Sequence, residues 1–172
     1  MYDMETLKAI LTRRSIRKYS EKNIPEEYYE ILLRAALHAP SGRNRQPWHF
    51  ILISDRKILN KLAAVNPSWK MLEEAANAIV VCGDLDLEES ESFILQDCAA
   101  ATQNILLAAH ELGLGTVWLG VHPREERLKP LIEILQIPDH ILPVSMVSVG
   151  KPDEYREQPD RYNIERIHQD KW

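Results

Sequence analysis

Apolar residues recur at intervals of three and four in the first part of the chain. Residues 4–12 and residues 25–39 both place their apolar side chains on one face of a helix. Pro25 is favourable at a first helical position, and Pro40 stops the helix that it follows. The pattern therefore predicts two amphipathic helices at the start of the chain.

Short apolar runs indicate strands. The run after Pro47 is bounded by polar residues, and a second run is rich in β-branched residues and ends at Gly83. Strands are predicted at residues 48–53, 78–82, 116–119 and 144–149, and further helices at 56–65 and 124–135. Five carboxylates in residues 84–91 predict an exposed acidic loop. Because helices and strands are mixed along the chain, we expect an α+β layer structure.

Residues 92–112 carry apolar side chains on nearly every side of a predicted helix. Such a helix would run about 30 Å, the width of a small domain. Gly113 and Gly115 end it. We expect the helix to be buried all round, with a partner chain covering part of it.

Composition narrows the class of protein. The chain has 172 residues, of which 45% are hydrophobic and 27% are charged. These are the proportions of a folded globular domain, and we expect residues 1–172 to form one domain. The formal net charge of -5 argues against nucleic acid as a partner, so any anion site must be local.

The cysteines and the chain start indicate a compartment. Cys82 and Cys98 lie in apolar segments, where a reduced thiol behaves as a small hydrophobe. Residues 1–11 include charged side chains, unlike a signal peptide, and no run of about 18 apolar residues occurs. We expect a cytoplasmic protein that does not enter a membrane.

Familiar nucleotide and metal signatures do not fit. Gly115 and Gly120 have the spacing of a P-loop, but Val121 and His122 stand where Lys and Ser or Thr are needed. Gly113 and Gly115 do not complete the dinucleotide-binding fingerprint, because no third Gly follows three residues later. The two cysteines have no neighbouring His, so we predict no metal site.

A cationic patch follows the first predicted helix. Arg13, Arg14, Ser15 and Arg17 cluster there, although the chain is acidic overall. One interpretation is a solvated basic cluster at a helix C-terminus. The other is a phosphate site, because guanidinium forks and a hydroxyl bind phosphate oxygens.

A second polar cluster precedes the first predicted strand. It contains Pro40, Ser41, Asn44 and Gln46. The cluster is either a plain connecting loop or a surface that reads a flat heterocycle, since its amides and hydroxyl both donate and accept hydrogen bonds. Together, the two clusters indicate a nucleotide-like cofactor.

The order of these motifs resembles the FMN-dependent nitroreductase family. The first motif is Arg-Arg-Ser-Ile-Arg-Lys-Tyr from Arg13, and the second is Ala-Pro-Ser-Gly-x-Asn-x-Gln-Pro-Trp from Ala39. The resemblance continues through residues 113–120, residues 149–152 and the tail around Arg161 and Trp172, so it covers nearly the whole chain.

The resemblance implies a fold and an assembly. The fold is an α/β/α sandwich with a central, mainly antiparallel sheet. The assembly is an intertwined homodimer in which a C-terminal arm, residues 151–172, packs on the partner subunit, and two FMN sites lie at the interface.

The resemblance also implies which residues contact FMN. Arg13, Ser15 and Arg17, with Arg14 beside them, would bind the phosphate and the pyrimidine edge. From the tail, Arg161 would reach the phosphate, with Lys151 as a weaker rival. The remaining contacts would be a loop from the opposite subunit with Pro40, Ser41, Asn44 and Gln46, and a backbone stretch with Trp118, Leu119 and Gly120.

The implied activity is that of an oxidoreductase centred on the flavin. NADH or NADPH would reduce FMN, and a nitroaromatic, quinone or related electrophile would reoxidise it in a ping-pong cycle. Alternatives are reductive dehalogenation, flavin cleavage, or a non-enzymatic protein that binds or senses FMN. We expect the pocket mouth to contain residues 66–71, including Trp69, and the acidic loop 84–91.

Overall fold

The fold is seen in a computed structural model that describes residues 5–20 and 23–172. The α-helices are α1 Thr6–Thr12, α2 Glu26–Leu37, α3 Arg56–Val65, α4 Glu91–Glu111 and α5 Glu125–Leu135. The strands are β1 Trp48–Ile53, β2 Asn77–Asp84, β3 Gly115–Gly120 and β4 Ile141–Gly150. Short 3₁₀ helices span Gly42–Asn44, Pro67–Glu73 and Ile164–Arg166. The predicted start of the first helix, residue 4, lies outside the described residues.

The four strands form one antiparallel sheet in the order β1-β2-β4-β3. In register, Trp48 lies opposite Gly83 at one end of the sheet, and Gly115 lies opposite Gly150 at the other. The strands β1 and β3 are therefore the two edges. Three strand spacings of about 4.8 Å place those edges roughly 14 Å apart.

Helices cover both faces of the sheet, because the side chains of the central strands alternate between two cores. On β2, Ile79 and Val81 pack with α2 and α4 in one core. Ala78 and Val80, on the opposite face, pack with α3, α5 and the Pro67–Glu73 helix in the other. The predicted α/β/α sandwich with an antiparallel sheet is confirmed.

Helix α4 crosses the sheet at close range. A Cβ atom on Gly83 of β2 would lie 2.1 Å from Cγ2 of Ile94, so this crossing requires glycine. Ile94, Cys98 and Ile105 are fully buried, but Phe93 is 43% exposed. Part of α4 is therefore open to solvent in a single chain, and its cover by a partner chain stays a prediction.

The C-terminal segment begins against the body of the chain and continues as an exposed stretch. The backbone N–H of Asp153 donates to the carbonyl of Lys18 at 2.9 Å, and Ser20 donates to Lys151 at 3.1 Å. From residue 155 onward every residue is exposed, and Trp172 is fully exposed. Among the described helices, none is long and apolar enough to cross a membrane.

Candidate functional site

The segment that carries the cationic patch lies along the start of β3. Ser15 forms a parallel bridge with Thr116, and the N–H of Ile16 donates to the carbonyl of Thr116 at 2.9 Å. A Cβ on Gly115 would lie 2.7 Å from Cγ2 of Ile16, so a glycine is needed for this approach. Burial of Ile16 fixes which side chains of the segment face outward.

Tyr19 holds the other end of this segment. Its hydroxyl donates to the carbonyl of Ile16 at 2.8 Å and shares a hydrogen bond with Oγ of Ser148 at 2.6 Å. Burial raises the pKa of Tyr19 well above its usual value, so the phenol stays protonated. The segment is therefore fixed at both ends against the sheet.

Three arginines meet beside α1. Burial, together with the nearby charges of Arg14 and Arg161, lowers the pKa of Arg13. The Nη1 atom of Arg13 is buried and has no hydrogen-bond partner within the described residues. A cleft of about 780 Å³ lies there and is lined by all three arginines. Such a cluster attracts an anion, because the guanidinium groups repel one another without one.

Arg14 already has partners of its own. Its Nε donates to the carbonyl of Glu157 at 2.9 Å, and its Nη1 donates to the carbonyls of Leu11 at 2.9 Å and Arg13 at 2.6 Å. Arg14 therefore ties the start of the C-terminal segment to α1. Of these three arginines, Arg13 is the one with a buried N–H that has no hydrogen-bond partner among residues 5–20 and 23–172.

His110 belongs to this positive region, although no sequence motif predicted it. Its Nε2 lies 2.8 Å from Oγ1 of Thr12, which connects α4 to α1. Burial, followed by the charges of Arg13 and Arg14, lowers the pKa of His110. Both Arg13 and His110 line a second cleft of about 340 Å³. The sequence signal was weak, since a His near a helix end is common.

The side chain of Arg17 is exposed at the surface of the same segment. Its backbone N–H donates to Oε1 of Glu154 at 2.5 Å, a second tie between this segment and the C-terminal one. The structure thus brings Arg13, Arg14, Ser15, Arg17 and Arg161 into one region.

The loop with the second cluster, residues 40–46, is tightly turned. Arg43, Asn44 and Gln46 have φ values of 53°, 55° and 51°, in the left-handed region that disfavours most side chains. Ser41 Oγ accepts the N–H of Gln46 at 3.0 Å, and Nε2 of Gln46 donates to Oδ1 of Asn44 at 3.3 Å. The side chains of Asn44 and Gln46 are exposed.

Two buried carboxylates contact this loop. Asp97 of α4 accepts the N–H of Gly42 at 3.0 Å, and Oε2 of Glu88 lies 2.7 Å from Nη2 of Arg43. Glu88 is only 4% exposed. The expectation that residues 84–91 form an exposed acidic loop is therefore wrong for Glu88, because the loop supplies its counter-charge.

The end of β3 carries the third predicted set. Trp118 is half-buried and Leu119 is buried. The carbonyl of Gly120 accepts Nη1 of Arg127 at 2.7 Å. Arg127 also lies 5.9 Å from the ring centre of Trp69. Trp69 is fully buried, so the expectation that it lines a pocket mouth is wrong.

Register shows which predicted contacts one chain can bring together. Ser15 pairs with Thr116 at the start of edge strand β3, whereas the 40–46 loop leads into Trp48 at the start of edge strand β1. Trp48 and Gly115 lie at opposite ends of the sheet as well as on opposite edges. This diagonal is roughly 27 Å, from three strand spacings and about seven residues of rise. The arginines and the loop therefore occupy opposite corners of one chain.

Known proteins are similar to this chain in sequence and in fold. The model of the nitroreductase family matches residues 10–67 and 63–151. The chain belongs to the nitroreductase family. It is accordingly an oxidoreductase of that family, and the family predicted from the sequence motifs is confirmed.

Full-length relatives support this nitroreductase assignment. A "Putative NADH dehydrogenase/NAD(P)H nitroreductase" from Archaeoglobus fulgidus is 51% identical over 172 residues, with 98% of this chain and 99% of the relative covered. A Parabacteroides distasonis crystal structure of a protein with that same name has a TM-score of 0.93 and 42% identity, with 97% of this chain and 98% of the other covered.

A nitroreductase structure with FMN is also similar to this chain. It comes from Desulfovibrio desulfuricans, has a TM-score of 0.85 and 30% identity, and covers 99% of both chains. The likeness therefore extends over both clefts, the 40–46 loop and the C-terminal segment of this nitroreductase-family chain.

Proposed function

We propose that this chain is an FMN-dependent oxidoreductase that takes electrons from NADH or NADPH and passes them to a nitroaromatic, a quinone or a related small electrophile. FMN supplies the redox chemistry when bound. The donor and the acceptor use the same face of the site in turn. We also propose that the protein is a single domain, 1–172, that works in the cytoplasm as a homodimer.

The observation that carries this proposal is the buried Nη1 of Arg13, which lies among three arginines and has no partner in the part of the chain that the structure describes. A phosphate dianion offsets the charges of Arg13, Arg14 and Arg161 and accepts the free N–H. The similar Desulfovibrio desulfuricans protein is in complex with FMN. The donor set therefore fits an FMN phosphate, with Ser15 beside it and Arg17 two residues further along the segment.

The length of β3 supports the same orientation. The phosphate residues lie at Thr116, near its start, and Trp118 to Gly120 form its end. From Thr116 to Gly120 the strand spans roughly 14 Å. This spacing is comparable with an extended flavin mononucleotide. We propose that the backbone of residues 118–120 faces the isoalloxazine, with Arg127 fixing Gly120, and that Arg17 offers positive charge to the reduced ring.

The positions of the two clusters support a site made by two chains. The loop residues Pro40, Ser41, Asn44 and Gln46 lie at the opposite corner of the sheet from Arg13. A second copy can bring its loop to this corner, and a twofold axis makes both sites alike. The open side of α4 and the exposed 155–172 segment are then the surfaces that the partner covers.

The decisive experiment is the absorption spectrum of the purified protein, taken before and after NADPH is added without oxygen. We expect a yellow protein that NADPH bleaches and that a quinone or nitroaromatic recolours. A colourless protein that cannot be reconstituted with FMN would refute the proposal. A yellow protein that neither NADH nor NADPH bleaches would instead favour a binding or sensing role.

Mixed dimers test the two-chain site separately. Arg13→Ala impairs the phosphate side of a site, and Gln46→Ala impairs the loop side. If the loop acts on the partner's flavin, a dimer of one Arg13→Ala chain and one Gln46→Ala chain contains one intact site. We expect activity to return on mixing, towards about half of wild type. No recovery in a verified mixed dimer would place both halves in the same chain.

A further inference from the structure

The 40–46 loop holds an unfavourable conformation that its own sequence does not explain. Arg43, Asn44 and Gln46 all have positive φ values. Only Asn commonly tolerates this region, so Arg43 and Gln46 must be held there by their surroundings. Conformations of this kind persist where neighbouring groups determine them, and they concentrate at functional sites.

Asp97 is the first group that holds the loop. Its side chain is 5% exposed, and its Oδ1 accepts the N–H of Gly42, the residue before the first positive φ. Its Oδ2 is buried and has no partner within the described part of the chain. A buried carboxylate with an unpaired oxygen weakens a fold, and an apolar side chain would serve packing better. Stability alone therefore gives no reason for an acid here.

Glu88 is the second group that holds the loop, and it contacts Arg43. Its Oε2 pairs with Nη2 of Arg43, while its Oε1 accepts the N–H of Ser90 at 3.0 Å. The Arg43 guanidinium also lies 5.4 Å from the ring centre of Phe93. Arg43 is thereby held by charge on one side and by an aromatic face on another.

We infer that Asp97 and Glu88 are positioning residues that clamp the 40–46 loop so that Ser41, Asn44 and Gln46 meet the flavin of the partner subunit. This inference rests on the proposed function. Both carboxylates contact the loop at residues 42 and 43, so they act on the flavin-facing groups through the loop. Their loss should move those groups while the arginine cluster keeps its geometry.

The rate of trypsin cleavage measures how firmly the loop is held, without any cofactor, because Arg43 and Arg45 are cleavage sites inside the loop. We expect Asp97→Ala to be cut there about tenfold faster than wild type, in line with the loss of a charged hydrogen bond. Asp97→Asn keeps an oxygen for the Gly42 N–H and should remain within about twofold of wild type. Glu89→Ala, an exposed neighbour of Glu88, is the matched control and should not change.

Flavin measurements on the holoprotein then separate positioning from structure. In Asp97→Ala we expect FMN to be retained through the phosphate, a shifted long-wavelength absorption band, and kcat lowered about tenfold with KM for NADPH little changed. Glu88→Gln should show smaller effects in the same direction, since it loses the ion pair and keeps an acceptor for Ser90. If Asp97→Ala does not fold, Glu88→Gln provides the test of the inference.

The outcomes are distinct. If folded Asp97→Ala and Glu88→Gln are cut by trypsin at the wild-type rate, the clamp is refuted. If the loop is released but the spectrum and kcat stay at wild-type values, the clamp is structural only and the inference is overturned. If wild type binds no FMN, the proposed function fails, and faster cleavage of the variants would still show that the carboxylates hold the loop.

Discussion

Replacing Arg13 with alanine should weaken FMN binding and at the same time leave the apo fold equally stable or more stable. The two effects have one physical origin. Within the described residues, Arg13 has a buried Nη1 with no partner, and it lies near Arg14 and Arg161. A bound phosphate would accept a hydrogen bond from the unpaired Nη1 and would offset the repulsion between the three arginines.

The magnitudes follow from these contacts. A hydrogen bond to a charged group contributes about 2 kcal/mol, which corresponds to roughly a thirtyfold increase in the Kd for FMN. In the apo chain, removing an unpaired buried donor should stabilise the fold by about 1 kcal/mol. The lost packing of the arginine stem offsets part of this gain. The free energy of unfolding should therefore change by between zero and about +1 kcal/mol.

The assays are an FMN titration by fluorescence at fixed ionic strength and urea unfolding of the apo protein. Arg13→Lys keeps the charge but loses the fork, so its Kd should lie between those of wild type and Arg13→Ala. Arg34→Ala is the control, since Arg34 forms an exposed pair with Glu30 on α2. Wild-type affinity in Arg13→Ala would refute the phosphate assignment, and a clearly less stable apo variant would show that Arg13 has a structural partner.

Three further results are expected. Gly83→Ala should destabilise the chain by about 1–3 kcal/mol in urea unfolding, because its Cβ would lie 2.1 Å from Cγ2 of Ile94. The double variant Gly83→Ala with Ile94→Ala should lose less stability than the sum of the two single variants. The pKa of His110 is lowered in the folded chain, so the free energy of unfolding of the apo protein should decrease as the pH falls from about 6.5 towards that lowered pKa. Bound FMN should raise the pKa of His110 by offsetting the charge of Arg13, and NMR titration measures this change. Deletion of residues 162–172 should weaken both the dimer and FMN retention, and a truncated holo dimer in sedimentation would contradict the proposed arm.

Local signals account for the elements that the sequence predicted well. Strand β1 and helix α3 have the predicted bounds. Pro47 precedes the strand, and the Asp55 side chain caps the helix by accepting the N–H groups of Lys57 and Ile58. These signals lie within a few residues of the boundaries that they set, so no knowledge of the tertiary structure is needed.

The two wrong expectations concern residues whose partners are distant in sequence. Glu88 lies in a run of acidic residues that a sequence reader expects to be solvated. Arg43, which is 45 positions away in sequence, forms the ion pair that stabilises its buried carboxylate. Trp69 looks like an aromatic residue in a polar loop, yet the Pro67–Glu73 helix packs it against α3, and Arg127 covers it. Asp97 gave no sequence signal at all, since its role depends on where α4 passes the 40–46 loop.

The spacing of the two cofactor motifs in sequence is misleading about their spacing in space. Residues 13–17 and 40–46 are close along the chain, but α2 crosses one face of the sheet between them and delivers the second motif to the far corner. If both motifs serve one FMN, the second copy must supply one of them, and twofold symmetry then gives one FMN per chain. Affinity for FMN should then also fall when the protein is diluted below the dimer dissociation constant, because each monomer would have only half of a site. Equilibrium dialysis at several protein concentrations measures this, and an affinity independent of concentration across the monomer–dimer transition would mean that one chain binds FMN alone.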